Sequence, residues 1–293
     1  MRQIKQIGLI ANPEKSSWKA NLSKAVMLIE QANRTAVAPQ LASAHPSLQE
    51  DEFEHDIDAV TQTDLILVIG GDGTMLGAAR ALKGANTPIL GINTGNLGFL
   101  TAAPMADLEK VLEGIWSEDY RILSRPFMEA SVKGRDEDNP LIAVNDFVIS
   151  RGELSRMIQL NVSVDGDFLT TYQCDGLIVC SPTGSTAYSL SAGGPIVSPS
   201  TSVMTMTPIC PHALSNRSVI VPLHSLIEVE VGVHRPETIL TGDGSGVPTF
   251  LKPRDIIQIR QSAHHFQILS VSGTNFFQTL RQKMMWSGSN ISQ

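Results

Sequence analysis

The stretch Asp64-Leu-Ile-Leu-Val-Ile-Gly-Gly-Asp-Gly-Thr-Met-Leu-Gly-Ala-Ala-Arg80 decides how the first half of the chain folds. It opens on a short apolar run, Leu65 to Ile69, whose branched residues predict a strand buried on both faces. Glycines and a single aspartate follow, and Thr74 then leads into an apolar spacing typical of a helix. A strand, a glycine turn and a helix N-terminus favour phosphate binding, because free amides and the positive end of the helix dipole converge there.

Asp72, the one carboxylate among these glycines, has two interpretations. The first is a helix N-cap, in which its side chain accepts a hydrogen bond from the amide of Thr74 or Met75. The second is a catalytic carboxylate beside a phosphate site, where it would accept a proton from a hydroxyl nucleophile. The glycine spacing is one residue longer than the dinucleotide-binding fingerprint, and no Lys-Ser/Thr pair follows as a P-loop requires. The turn alone therefore indicates phosphate binding and leaves the role of Asp72 open.

Composition and charge narrow the class of protein. A chain of 293 residues that is 42% hydrophobic can bury one large core or two moderate ones. A formal charge of -7 without a Lys/Arg cluster argues against nucleic acid as a partner. The amino-terminal apolar run is too short for a signal peptide, and no stretch approaches the ~18 apolar residues of a membrane span. We therefore expect a cytoplasmic protein without a membrane partner.

Alternating strand and helix patterns fill about the first 120 residues. This alternation predicts a parallel sheet covered on both faces, with ligand at the carboxyl edge of its strands. Past residue 120 the helical patterns give way to short runs that alternate apolar and polar residues, among them a strand over residues 141–150, which predicts a β-rich half. Asp165-Gly166 predicts a hairpin turn within this half. In the first half we predict strands over 4–11, 36–41 and 88–93, helices over 17–31 and 104–115, and a solvated loop with a polar helix over 42–61.

The fold class that follows is α/β plus β-rich. We expect a Rossmann-like parallel α/β domain over residues 1–120 and a β-sandwich-like domain over residues 121–273. The spacing of apolar residues in the tail predicts a short helix from Asn275 to Trp286, with these residues on one face. We therefore expect residues 274–293 to pack back on the first domain.

Two polar constellations stand out in the β-rich half. After Asp175, a strand leads through a Pro-Thr-Gly turn into a hydroxyl-rich segment, in which Ser185 and Thr186 are natural N-caps. A helix cap needs only one hydroxyl. The additional hydroxyls of this segment therefore favour a site that binds a sugar, a base or a phosphate through neutral hydrogen bonds. The pair Asn145-Asp146 interrupts an apolar run, and because burying such groups without partners is costly, it indicates a ligand, a strand end, or a bulge or turn.

With these stretches the chain resembles the NAD kinases, in particular the bacterial type. The first glycine motif is shared with diacylglycerol- and sphingosine-type lipid kinases and phosphofructokinases, whereas the long Thr-Gly-Ser-Thr-Ala-Tyr run is far more specific. The matching stretches span most of the chain in the family's order: Gly70-Gly-Asp-Gly-Thr74, Gly91-Ile-Asn-Thr-Gly-Asn-Leu-Gly-Phe-Leu100, Asn145-Asp146, Asp175-Gly176, Pro182 to Pro195 and Pro211-His-Ala-Leu-Ser215.

The resemblance implies transfer of the terminal phosphoryl of ATP, or of polyphosphate, to the 2′-hydroxyl of the adenosine ribose of NAD, which gives NADP. It implies a divalent metal, Mg²⁺, bound through the phosphates, and a homotetramer or homodimer. Asp72 is then the general base with Gly71 and Gly73 beside it, and Phe99 lies at the adenine-side pocket. The further substrate-binding residues are Asn145, Asp146, Arg156, Gln173, Asp175, Thr183, Thr186, Ala187, Tyr188, Ser189, Leu190, Ser191 and Ser245.

The chain departs from the family pattern at a few of these positions. Many relatives have Asp-Gly-Gln where this chain has Asp243-Gly244-Ser245, so a Gln contact to NAD is shortened or lost. Some relatives carry Arg at the position of Gln173 and His at that of Arg156, which leaves the choice between ATP and polyphosphate open. Two other functions remain as alternatives: a lipid or sugar kinase built on the same glycine turn, and a non-catalytic NAD-binding regulator that kept the pocket.

Overall fold

The computed structural model describes residues 3–13, 16–37, 59–82, 84–135, 139–152, 156–233, 237–271 and 275–286. The helices whose bounds lie within these residues are α1 (Trp18–Gln31), α2 (Asp72–Ala81), α3 (Leu108–Trp116), α4 (Tyr188–Ser191) and α5 (Phe276–Lys283), with 3-10 turns at Met105–Asp107 and Thr183–Thr186. The strands are β1 (Gln6–Ala11), β2 (Thr35–Val37), β3 (Leu65–Ile69), β4 (Ile89–Asn93), β5 (Ala103–Pro104), β6 (Tyr120–Val132), β7 (Leu141–Ala143), β8 (Asp146–Arg151), β9 (Ile158–Val164), β10 (Asp167–Cys174), β11 (Gly176–Cys180), β12 (Val203–Ile209), β13 (Val219–Pro222), β14 (Ile227–Val231), β15 (Thr238–Gly242), β16 (Ser245–Leu251) and β17 (Ile256–Val271).

The described residues cluster into two compact units, the first from 1–125 and 265–293 and the second from 126–264. In the first unit, β2, β1, β3 and β4 form a parallel sheet in that spatial order. Every residue of β3 and β4 is buried, as their branched apolar runs predict for strands covered on both faces. The carboxyl ends of these two strands carry the glycine turn and the loop from residue 94 to 100, so both segments leave the same edge of the sheet.

Two helices of the first unit, α1 and α3, bury their apolar faces in one core with the sheet. In α3 the buried residues recur at three- and four-residue spacing, as an amphipathic helix requires: Leu108, Val111, Leu112 and Ile115. Side chains of α1, α3, β1, β3 and β4 share this core with Leu269 and Val271 near the end of β17. The prediction of a polar helix within residues 42–61 lies almost entirely outside the described residues.

The second unit is β-rich and antiparallel. Its six-stranded sheet has the order β13-β12-β11-β8-β15-β16. Strands β10, β9, β14 and the first half of β17 pair side by side in that spatial order. Inward-facing residues of both sets of strands, such as Leu160 and Leu177, meet in one core. This is the sandwich-like arrangement that the alternating runs predict. The hairpin at Asp165-Gly166 is also confirmed, since both residues have positive φ (52° and 88°) as a tight turn between twisted strands demands.

The tail forms α5, whose start is fixed by a side-chain cap: the Asn275 side chain accepts a hydrogen bond from the amide of Gln278 at 2.9 Å. Leu280 is the buried residue of this helix, at 5% exposure. Within the described ranges, no helix combines the length and the hydropathy that a membrane crossing requires.

Candidate active site

The glycine turn joins β3 to α2 within the first unit. Gly71 is the N-cap residue of α2 in extended conformation, and no side chain caps the helix. At Gly70 a Cβ would lie 2.3 Å from the Thr74 hydroxyl, so packing requires glycine there. At Gly71 and Gly73 a Cβ would meet nothing within 4 Å, so packing within the described chain does not account for these two glycines. The open space beside a helix N-terminus is instead suited to close approach of an anionic ligand.

Asp72 is the first residue of α2, and its carboxylate is held by the neighbouring loop. Oδ2 accepts a hydrogen bond from the amide of Phe99 at 2.9 Å, and Oδ1 accepts one from Leu100 at 3.0 Å. The interpretation of Asp72 as an N-cap is therefore wrong, because the helix begins at Asp72 itself and its carboxylate contacts a distant segment. Each oxygen keeps a lone pair beyond its one amide partner, so the carboxylate can still accept a proton or a further hydrogen bond.

The loop from residue 94 to 100 can approach Asp72 this closely because of Gly98. A Cβ at Gly98 would lie 2.0 Å from Asp72 Oδ1, which no side chain tolerates. The loop is fixed from within, since the Gly98 amide donates to the Thr101 hydroxyl at 3.0 Å and the Asn93 side chain bonds to the backbone of Asn96. The site around Asp72 is therefore preorganised by backbone groups.

The second unit carries a cavity of about 340 Å³. It brings together four of the predicted substrate-binding residues, two from the polar pair that interrupts the apolar run and two from the hydroxyl-rich turn. A cavity of this size with convergent polar groups is typical of a small-molecule site. The residues that line it are Asn145, Asp146, Val148, Ser150, Ala187, Tyr188, Thr241, Asp243 and Gly244.

Asp243 organises this cavity, and the sequence analysis did not select it as a site residue. Its carboxylate accepts hydrogen bonds from the successive amides of Val144 (3.0 Å), Asn145 (2.7 Å) and Asp146 (3.3 Å). In return the Asp243 amide donates to the Asp146 carbonyl at 2.9 Å. The predicted strand over residues 141–150 is consequently broken at residue 144, and Asn145-Asp146 lies at the start of β8. The signal that could have found Asp243 is the Asp-Gly turn pair, which favours the positive φ of 51° seen there.

Asp146 is buried at 4% exposure beside the Asp243 carboxylate. Burial, and to a smaller extent the negative charge of the Asp243 carboxylate, together raise the pKa of the Asp146 carboxyl to about 7. Near neutral pH this carboxyl therefore exists in both protonation states, and its protonated form can donate a hydrogen bond into the cavity.

This raised pKa predicts a pH dependence of stability. Between about pH 4 and pH 7 the folded chain binds more protons at Asp146 than the unfolded chain, so the free energy of unfolding falls as pH rises, by up to about 4 kcal/mol. We expect Asp146→Asn to remove most of this slope in urea unfolding measured at about pH 5 and about pH 8. Asp167→Asn, which changes an exposed carboxylate of the same unit, should keep the wild-type slope. An unchanged slope in Asp146→Asn would contradict the assignment.

The hydroxyl-rich turn packs directly against the polar pair. A Cβ at Gly184 would lie 2.1 Å from the Asn145 carbonyl oxygen, and Ser181 Oγ donates to the Val144 carbonyl at 2.6 Å. The predicted N-cap role of Ser185 is wrong, because its buried hydroxyl donates to the Pro182 carbonyl and accepts from the Val197 amide. Thr186 is likewise no N-cap, since no side-chain cap bond is made at either end of this turn.

The remaining predicted residues of the second unit lie around the turn and on neighbouring strands. Tyr188 and Ser191 are exposed and Leu190 is half-buried, whereas Thr183 is buried and Ser189 Oγ is paired with Thr207 Oγ1 at 3.2 Å. Asp175 forms an ion pair with Arg151, with 2.9 Å between Oδ1 and Nε. Arg156 and Gln173 are exposed, and neither they nor Asp175 line the cavity. Ser245 begins β16, and its side chain lies outside the described part of the structure.

A parallel sheet whose glycine turn runs into a helix N-terminus, in one chain with a β-rich unit that holds a polar cavity, defines a nucleotide-binding α/β protein. Two family models match the chain: the ATP-NAD kinase N-terminal domain over residues 7–120 and the ATP-NAD kinase C-terminal domain over residues 144–271. The chain therefore belongs to the NAD kinase family, and the prediction of an NAD kinase enzyme is confirmed.

Curated NAD kinases match this chain over nearly its whole length. The chain is 38% identical over 289 residues to the NAD kinase of Moorella thermoacetica, which covers 98% of this chain and 91% of the relative. It is 39% identical over 285 residues to the NAD kinase of Thermoanaerobacter pseudethanolicus, which covers 96% and 99%.

Solved structures agree with the fold. Yeast NADH kinase complexed with NADH matches with a TM-score of 0.84 at 25% identity, over 100% of this chain and 91% of the yeast chain. An NAD kinase from Archaeoglobus fulgidus in complex with ATP matches with a TM-score of 0.74 at 25% identity, over 96% and 98%. The predicted fold class, an α/β domain followed by a β-rich domain, is confirmed.

Proposed function

We propose that this NAD kinase transfers the terminal phosphoryl of ATP, or of polyphosphate, to the 2′-hydroxyl of the adenosine ribose of NAD, with Asp72 as the general base. The observation that carries the proposal is the Asp72 carboxylate, held by two backbone amides at a helix N-terminus beside two glycines that have open space next to them. In phosphoryl transfer, alignment and charge stabilisation dominate, so a fixed carboxylate is suited to orient the attacking hydroxyl and take its proton.

The phosphates of the donor would lie against the glycine turn. The amides at the start of α2 and the positive end of its dipole favour negative charge there, although the chain as a whole is acidic. Among the described residues no group of three His, Cys, Asp or Glu side chains could hold a metal ion. As the family resemblance implies, a divalent cation such as Mg²⁺ would be held through the donor's phosphates, where it would supply charge neutralisation.

The dinucleotide would use the cavity of the second unit. Asn145 supplies an amide that donates and accepts hydrogen bonds, and Asp146 a carboxyl that titrates near neutral pH. Tyr188 adds an exposed ring suited to packing against a base or nicotinamide. The structure with NADH among the matches supports a dinucleotide as the ligand. Assembly into a homodimer or homotetramer is part of the same proposal.

Purified protein incubated with NAD, ATP and magnesium, assayed for NADP and then repeated with polyphosphate, tests the proposal directly. NADP formation supports it, and the ratio of the two rates identifies the donor. Phosphorylation of diacylglycerol or a hexose without phosphorylation of NAD would favour a lipid or sugar kinase. Tight NAD binding with no NADP under any donor or metal would favour a non-catalytic regulator.

The variant Gly73→Ala tests whether the open space beside Gly73 is needed for the ligand and not for the packing of the chain. We expect the variant to unfold at the same or a higher temperature, because Ala is favoured over Gly in a helix by about 1 kcal/mol and its Cβ meets nothing within 4 Å. The KM for the phosphoryl donor should nevertheless rise about tenfold or more, since the methyl group occupies the space proposed for the phosphates. Both values come from thermal unfolding and steady-state kinetics.

Gly77→Ala is the matched control for this prediction. Gly77 lies one turn further along α2, and a Cβ there also meets nothing within 4 Å. We expect the same gain in stability with an unchanged donor KM. An equal rise of KM in both variants, or none in Gly73→Ala, would place the phosphates elsewhere.

A further inference from the structure

The carboxy-terminal helix α5 packs against the loop that holds Asp72. The Phe276 ring lies 6.0 Å from the Phe99 ring between centroids, tilted by 41°, and Phe277 packs edge-on against Phe276 at 5.3 Å. These spacings are those of interacting aromatic pairs. With Asn275 capping one end and Leu280 buried, α5 is anchored independently of Phe99 and can act as a support for it.

Lys283 gives the same ring a second contact. Its ammonium nitrogen lies 5.1 Å from the centroid of Phe99, within the range of a cation–π interaction. Within the part of the chain that the structure describes, this exposed ammonium takes part in no ion pair. The Phe99 ring is therefore its principal partner there, although the side chain lies in the last turn of α5, where a cation is also favoured by the helix dipole.

Phe99 connects these contacts to the proposed base. Its backbone amide donates to Asp72 Oδ2 at 2.9 Å, so a displacement of the ring moves the hydrogen-bond donor that fixes the carboxylate. We propose that Lys283 and Phe276 are positioning residues for Asp72, which act through Phe99 across about two hundred residues of sequence. This inference rests on the proposed role of Asp72, and it makes the correct folding of α5 a condition for catalytic alignment.

Lys283→Met removes the positive charge and keeps the approximate length of the side chain. We expect kcat for NADP formation to fall about tenfold, because small displacements of a reacting group lower rates steeply. KM for NAD should stay within about twofold and the unfolding temperature close to that of the wild type, while Lys283→Arg should restore most of the loss in kcat. Phe276→Leu should lower kcat in the same way.

Arg281→Met is the matched control. Arg281 is an exposed cation in the same last turn of α5, and no contact with Phe99 is seen for it, so its loss changes the helix-dipole interaction equally. We expect its kcat to match the wild type. In a double-mutant cycle with Phe99→Leu, Lys283→Met should have little additional effect, since its partner is already gone.

A direct readout is hydrogen exchange at the amides of Phe99 and Leu100, which should accelerate in Lys283→Met and Phe276→Leu and stay unchanged in Arg281→Met. An unchanged kcat in Lys283→Met, an equal loss in Arg281→Met, an additive cycle or unchanged exchange would overturn the proposal. Failure of the proposed function would be recognised by a different result. Asp72→Asn would then retain turnover, whatever the exchange rates in the α5 variants.

Discussion

Asp72→Asn is expected to lower the turnover number for NADP formation by about 10²- to 10⁴-fold, the usual contribution of a positioned general base. The dissociation constant for NAD should change little, because the contacts proposed for the dinucleotide in the cavity do not involve Asp72. The side chain is half-buried and its volume is preserved in Asn, so the fold should persist. The three measurements are steady-state kinetics, calorimetric NAD binding and thermal unfolding.

The geometry of the site sets the controls for this variant. Both oxygens of Asp72 accept backbone amides, whereas Asn offers one acceptor and would direct its NH2 group at the second amide. Part of the loss therefore comes from loop displacement. Asp72→Glu keeps the charge and both acceptors but moves them, and should also lose most turnover. Asp107→Asn, an exposed carboxylate of the same unit, should retain wild-type turnover. Near-native NADP formation by Asp72→Asn would show that another group serves as the base.

The elements that the sequence predicted well are those decided by neighbours in the chain. The run of β3 is apolar at every position, and that of β4 at all but Gly91 and Asn93, so burial on both faces satisfies both strands. The apolar spacing of α3 fixes its buried face, and the Asp165-Gly166 pair fixes a hairpin. In each case the deciding interactions span a few residues, which a pattern of residue types can capture.

The features that the sequence did not reveal depend on contacts between distant residues. The partners of Asp72 lie 27 and 28 residues away, so the N-cap interpretation, one of two left open by the sequence, placed its carboxylate on the wrong amides. The bond from the Asn145 amide to Asp243 spans 98 residues, and the break in the predicted strand at residue 144 has no local cause. Ser185 likewise bonds to Val197, across the following segment. The residue types at these positions predicted polar groups that need hydrogen-bond partners, but only the folded chain shows which groups are those partners.

Removing the side chain of Asp243 is expected to have the second large effect. Asp243→Ala leaves the amides of Val144, Asn145 and Asp146 without their acceptor, in a part-buried position where each unsatisfied group is costly. Alanine also disfavours the positive φ of 51° at this position. We expect the free energy of unfolding to fall by about 2–4 kcal/mol, and NAD binding to weaken by about a hundredfold, because Asn145 and Asp146 lose their orientation.

Asp165→Ala is a closely matched control for this prediction. Asp165 has φ of 52°, precedes a glycine and accepts an amide bond from Leu226 at 2.8 Å, but it lies in an exposed hairpin and does not line the cavity. Because it holds one exposed backbone amide, its loss should lower the free energy of unfolding much less than Asp243→Ala does and leave NAD affinity unchanged. Denaturant unfolding and calorimetry of both variants measure the difference. If Asp165→Ala weakened NAD binding as much as Asp243→Ala, or if Asp243→Ala kept full affinity, the three amides would not be what orients the dinucleotide site.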